Sequence, residues 1–176
     1  MIENACMETP TALQKCWYAL YTKSRHEKLI NSELQKRRIE SFLPLRKIKK
    51  RWSDRTVTTE EPLFKSYLFV KTDRLQASEV LKAKGAVNFV ASRGHFISVD
   101  ENVITSLRTI IDNEIAADPF PYLTVGDRVY VRSGIFKGIE GFVVRKDNQK
   151  CRLVISITAI MASISVEIDA DLVEKV

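Results

Sequence analysis

The sequence predicts an α+β protein in two parts, a βαββαβ-type α/β sandwich followed by a small all-β barrel. Three observations carry that prediction. Apolar residues at helical spacing occur only before residue 118, and Asp118-Pro119-Phe120-Pro121 interrupts every periodic pattern. Beyond that tract, apolar residues recur at every second position, as half-buried strands require. On this reading residues 1–15 are a flexible tail, 16–117 the first unit, 118–122 a linker and 123–176 the barrel.

The elements of the first unit follow in order. Trp17-Tyr18-Ala19-Leu20-Tyr21-Thr22 is rich in aromatic residues and reads as a strand. Ser24 followed by Glu27 has the spacing of a capping box, so a helix should run to about Ile39. Leu29, Ile30 and Leu34 would be buried, and Glu33 and Arg37, four apart, would pair on the outer side. Two strands, Phe42 to Trp52 and Arg55 to Lys71, are expected to join through Ser53-Asp54. A second helix from about Leu75 to Lys84 should stop at Gly85, a residue suited to a left-handed cap. Val87 to Ala91 and His95 to Val99 read as short strands around Arg93-Gly94. Asp100 then caps a third helix with Val103, Leu107, Ile110 and Ile111 on its apolar side.

In the second unit the alternating positions are Val129 and Val131, then Cys151, Leu153, Ile155 and Ile157, then Ile164, Val166 and Ile168. Asp147-Asn148-Gln149-Lys150 reads as a hairpin turn.

Composition narrows the function. The net charge is +6, and the excess falls almost wholly in residues 1–121, so a nucleic-acid face is expected there. Cys6, Cys16 and Cys151 are too scattered for a disulfide framework, and neither His26 nor His95 lies near a cysteine pair, so no metal is expected. The acidic start Met1-Ile2-Glu3-Asn4-Ala5-Cys6 is unlike a signal peptide. Leu153 to Ala162, the most apolar stretch, is far short of the roughly 20 residues a membrane helix needs. A cytoplasmic monomer without membrane contact fits these features. There is no Ser/His/Asp order, phosphate-cradling glycine loop or paired carboxylates in an apolar setting, so neither catalysis nor a cofactor is expected.

Three motifs carry the functional reading. Residues 125–144 hold Gly126-Asp127 before a strand containing Val129, then Gly134, Phe136 and Gly138 in a tight loop, and Gly141 where the returning strand must bend. Glu61-Pro62-Leu63-Phe64-Lys65-Ser66-Tyr67-Leu68-Phe69-Val70 alternates so that Tyr67 and Phe69 face one side and Leu68 and Val70 the other. Two helices cover only one face of such a sheet, so the aromatic side is expected to stay partly open unless the third helix or the barrel covers it. Arg46-Lys47-Ile48-Lys49-Lys50-Arg51-Trp52 puts five cations at a hairpin tip, where they would attract phosphate or else stand solvated.

The glycine-rich segment resembles the KOW motif of transcription elongation factors and ribosomal proteins. From Trp17 to Val176 the chain resembles the NusG family, an N-terminal NusG domain followed by a KOW barrel. The pieces that carry this are residues 17–23, Phe42-Leu43-Pro44-Leu45, Trp52-Ser53-Asp54-Arg55, Glu61-Pro62-Leu63-Phe64 and Ser165-Val166-Glu167-Ile168. They look closest to the specialised paralogues RfaH and UpxY. Lys65-Ser66 departs from the family, which has proline and then a small residue there.

The resemblance implies a transcription elongation and antitermination factor serving particular operons, such as those for surface polysaccharide synthesis. Tyr21, Phe64, Tyr67 and Phe69 match the family's residues for docking on the clamp helices of the largest RNA polymerase subunit. Lys23, Arg25, His26, Lys36, Arg37 and Lys84 lie where such factors face the non-template DNA strand or nascent RNA. The KOW barrel would recruit a ribosomal protein or a termination factor.

An RNA-binding module is the alternative, because Lys65-Ser66-Tyr67-Leu68-Phe69-Val70 mimics the aromatic submotif of an RRM. That submotif wants small residues where Ser66 and Leu68 stand. A KOW-bearing ribosomal protein is a further alternative, for which +6 is a weak charge.

Overall fold

A computed structural model describes residues 14–51, 55–120, 126–146 and 150–176. The expected turns at Ser53-Asp54 and Asp147–Gln149 lie outside the described residues. Strand β1 (Cys16–Thr22) is followed by helix α1 (Glu27–Lys36) and the two-residue strand β2 (Ser41–Phe42). Strands β3 (Leu45–Arg51) and β4 (Thr56–Pro62) form a separate two-stranded arm, and β5 (Tyr67–Thr72) returns to the main sheet. Each long strand expected from the sequence is therefore two strands. Pro44 separates β2 from β3, and the turn at residues 63–66 separates β4 from β5.

Helix α2 (Ala77–Leu81) precedes the short strands β6 (Ala86–Phe89), β7 (Ala91–Ser92), β8 (His95–Phe96) and β9 (Ser98–Val99). Helix α3 (Glu101–Asp112) starts as its sequence dictates, with Asp100 accepting from the Asn102 N–H at 2.8 Å. The first sheet has the order β2-β5-β1-β6, with β9 on the same edge of β1 as β6. It buries Tyr18, Leu20, Leu68 and Val70 on one side with Ile30 and Leu34 of α1 and Val80 of α2. On the other side, Trp17, Ala19 and Phe69 join Ile104, Leu107 and Ile110 of α3.

Two local expectations are corrected. The Ser24/Glu27 capping box does not form: α1 begins at Glu27 with His26 at its cap and no side-chain cap bond. The Glu27 carboxylate instead accepts the Ser66 N–H at 2.7 Å, so a partner distant in sequence takes it. Leu29 is exposed, while Ile30 and Leu34 are buried. The Glu33–Arg37 pair is present.

The second sheet runs β10 (Ala117–Phe120), β14 (Ala162–Asp169), β13 (Lys150–Ile157), β12 (Glu140–Lys146), β11 (Asp127–Val131), β15 (Val173–Lys175), all neighbours antiparallel. Residues 117–120, expected in part as a linker, thus add a strand to it. Pro119 is tolerated because β10 lies at the edge, where a missing donor breaks no interior ladder. Val129, Val131, Phe136, Ile139, Leu153, Ile155, Ile164 and Val166 form the all-β core.

Candidate docking face and nucleic-acid interface

The aromatic face is set by strand pairing. Antiparallel register places Tyr21 opposite Tyr67 and Ala19 opposite Phe69. The Tyr21 and Tyr67 rings are 5.4 Å apart, and Phe64 meets Phe69 edge-on at 6.1 Å. Phe64 is held over the face by a turn: Tyr67 N–H donates to Phe64 O at 3.3 Å, and Ser66 sits at φ 64°, anchored by Glu27. Ser66 therefore adopts the left-handed conformation that a small residue tolerates best, so the departure at Lys65-Ser66 leaves a tight turn in place.

The expectation of a partly open aromatic face is corrected for half of it. Phe69 is fully buried and Phe64 nearly so, whereas Tyr67 is half-buried and Tyr21 is 41% exposed. Helix α3 covers the Trp17 end, where Trp17 Nε1 donates to Glu101 at 3.1 Å. That bond, with Lys71 beside it, holds the Glu101 carboxyl below its ordinary pKa. The remainder is covered by the second sheet: the turn Thr158–Ile160 between β13 and β14 lies against β1 and β9. Phe64, Tyr67, Phe120, Ile160 and Ala162 line a cavity of about 400 Å³ at this junction. A fully buried Phe69 cannot stack a base, which removes the support for an RRM-type surface.

The expected cations gather along α1. The Lys23 N–H donates to Gly85 O at 2.9 Å, and the His26 ring fills the space where a side chain at residue 85 would project. The Lys84 N–H donates to Glu33 at 3.2 Å, Glu33 pairs with Arg37, and Arg37 Nη1 donates to Glu79 O at 3.0 Å. Lys23, His26, Lys84 and Arg37 thus form one stripe, with Lys36 exposed on the same helix. Arg37 also ties α1 to α2. Arg25 stands at φ 63° and lines a cleft of about 530 Å³ with Lys28, Lys65, Glu27 and Glu61. Lys28 and Lys65, missed in the sequence, connect the cationic stripe to the aromatic face. They had no signal there because β4 and α1 meet only in the fold.

On the β3–β4 arm, Lys47, Lys49 and Arg51 alternate onto one side opposite Glu60, Thr58 and Thr56. Arg46 Nη1 donates to Asp118 Oδ1 at 2.9 Å, and Lys47 pairs with Glu114. That pairing raises the Lys47 pKa and lowers that of Glu114.

In the second sheet the glycine-rich motif builds the β11–β12 connection. Gly126, Gly134 and Gly138 all have positive φ, Val129 and Phe136 are buried, and Asp127 pairs with Lys175 at 2.7 Å. Gly141 is required for close approach, because a Cβ there would stand 2.6 Å from Val154 O.

An α+β unit with a basic stripe and an aromatic face is thus joined to a glycine-punctuated β sheet seated on that face. Residues 15–108 match the NusG family, described as transcription termination factor nusG, and the chain belongs to that family. It is 22% identical to the transcription termination/antitermination protein NusG of Borreliella burgdorferi, over 93% of this chain and all of that protein. To the protein of the same name from Rickettsia bellii it is 24% identical, over 92% of this chain and 90% of the relative. Its fold resembles that in the structure titled "Domain interaction in Thermotoga maritima NusG", with TM-score 0.56 and 21% identity, covering 94% of this chain and 99% of the other. The chain is therefore a transcription termination/antitermination factor of the NusG type.

Proposed function

We propose that this factor docks the aromatic face, Tyr21, Phe64, Tyr67 and Phe69, on the clamp helices of RNA polymerase and opposes pausing and termination. Lys23, Arg25, His26, Lys36, Arg37 and Lys84 then face the non-template DNA strand or nascent RNA, and the β3–β4 arm extends that basic surface. The second sheet, with the KOW-like motif at Gly126, Asp127, Val129, Gly134, Phe136, Gly138 and Gly141, recruits a ribosomal protein or termination factor. The protein acts as a cytoplasmic monomer on particular operons, in the manner of the RfaH and UpxY paralogues.

The observation that carries this reading is the paired, incompletely covered Tyr21 and Tyr67 beside buried Phe64 and Phe69. Aromatic rings left at the rim of a buried apolar cluster suit a partner interface. Because Phe69 belongs to the core, the test uses the two rim residues. Tyr21→Ala with Tyr67→Ala should weaken polymerase binding by about ten-fold or more and abolish pause suppression in a single-round elongation assay. Circular dichroism should show the fold unchanged. Full binding by the folded double variant would remove the proposed surface.

A further inference from the structure

The β3–β4 arm leaves one strand edge open beside a cavity. The Leu63 N–H donates to Pro44 O at 2.9 Å, so every second pair along the register, from Arg46/Glu61 through Ile48/Thr59, is hydrogen-bonded. The intervening residues Leu45, Lys47 and Lys49 turn their N–H and C=O groups away from β4, and these groups have no partner among the described residues. The outer edge of β4 is already engaged, because Glu60 O accepts from Lys28 Nζ at 2.9 Å.

Between β3 and residues 111–118 lies a cavity of about 630 Å³, in the ordinary range of ligand clefts. Leu43, Leu45, Ile48, Ile111, Ile115 and Ala117 supply its apolar lining. Arg46 and Lys47 leave β3 on opposite faces, yet both reach the segment that follows α3. Arg46 pairs with Asp118 at 2.9 Å and Lys47 with Glu114, so that segment is tied to the strand from both faces and the cavity is a slot between them. Arg46 lines the slot, and its Nε is buried without an acceptor. Farther along the Lys47 face, Lys49 and Arg51 are exposed and have no ion pair among the described residues.

We propose that this slot receives an extended acidic segment of a partner protein, added to β3 as a further strand. Main-chain groups of the segment pair with Leu45, Lys47 and Lys49, the mode of recognition that an open strand edge offers. Acidic side chains at alternate positions meet Lys49 and Arg51, and the apolar residues between them meet Ile48 and the lining of the slot. A carbonyl or carboxylate of the segment supplies the acceptor that Arg46 Nε lacks. Nucleic-acid phosphates would satisfy the exposed cations, but they carry no donor for the edge carbonyls and nothing apolar for the lining. The chemistry of the slot therefore favours a peptide.

The test uses the full chain and a fluorescent octapeptide of alternating glutamate and valine. The peptide should bind, and N-methylating alternate amides should weaken it about ten-fold or more in one of the two possible registers only. Successive N–H groups of a strand point to opposite sides, so the other register spares the groups that face β3. Ala116→Trp, at an exposed position that lines the slot and carries no charge, should weaken the peptide by a similar factor with an unchanged circular dichroism spectrum. Absence of binding, equal losses from the two methylation patterns, or full binding by folded Ala116→Trp would overturn the strand addition. A short single-stranded DNA whose affinity falls in Ala116→Trp, while that of the peptide does not, would give the slot to nucleic acid and overturn it as well.

Discussion

On the helix-covered side of the first sheet, Tyr18, Leu20, Leu68 and Val70 pack against Ile30, Leu34, Val80 and Phe89. On the opposite side, Ala19, Phe64 and Phe69 pack beneath α3 and the second sheet. The same two strands, β1 and β5, supply both sides, but the covers differ. The first is sealed by elements that connect directly to the sheet strands, and it is dry enough that burial, aided by the neighbouring Cys16, pushes the Tyr18 phenol up to about 12. The second is sealed partly by the turn at residues 158–160, far along the chain, over a cavity of about 400 Å³. The first side is sealed by helices of its own unit, whereas the second is sealed partly by α3 and partly by a contact with the second sheet.

The largest effect should come from breaking the sealed side. Leu20→Ala removes a fully buried side chain between α1 and the sheet, and should cost about 2–5 kcal/mol in urea unfolding. A loss below about 1 kcal/mol would show that the helix-covered side is not the stabilising core.

A smaller effect is expected where the two sides meet. Glu27→Ala leaves the Ser66 N–H without its acceptor and should cost about 1–3 kcal/mol. Polymerase binding should fall as well, because the turn that presents Phe64 loosens. Unchanged stability together with unchanged binding would mean that the turn holds its shape without Glu27.

These contrasts also explain what could be read from sequence. Asp100 was legible as a helix cap because its acceptor role is satisfied two residues away. The alternation of Tyr67, Leu68, Phe69 and Val70 was legible because a strand fixes side-chain direction. Glu27 was misread as a local cap because its partner, Ser66, is close only in the fold. Pro119 read as an interruption, yet an edge strand accommodates it. The arrangement of the site was less accessible. The cationic stripe depends on Glu33 and Gly85 joining segments that sequence keeps apart, and the cover over Phe64 and Tyr67 depends on the second sheet.

The docking proposed above requires RNA polymerase to take the same aromatic face that the second sheet partly covers. Ile160 lies in the covering turn and lines the junction cavity, so Ile160→Asp should place a charge against apolar neighbours and open the contact. The most direct measurement is the affinity of full-length chains for purified RNA polymerase, comparing wild type, Ile160→Asp, and Ile160→Asp combined with Tyr21→Ala and Tyr67→Ala. The account predicts that Ile160→Asp binds about ten-fold tighter, since closure hides the competent form. It also predicts that adding the two tyrosine substitutions drops affinity below wild type. If Ile160→Asp binds no tighter, or the triple variant binds as tightly as Ile160→Asp alone, the shared face is contradicted.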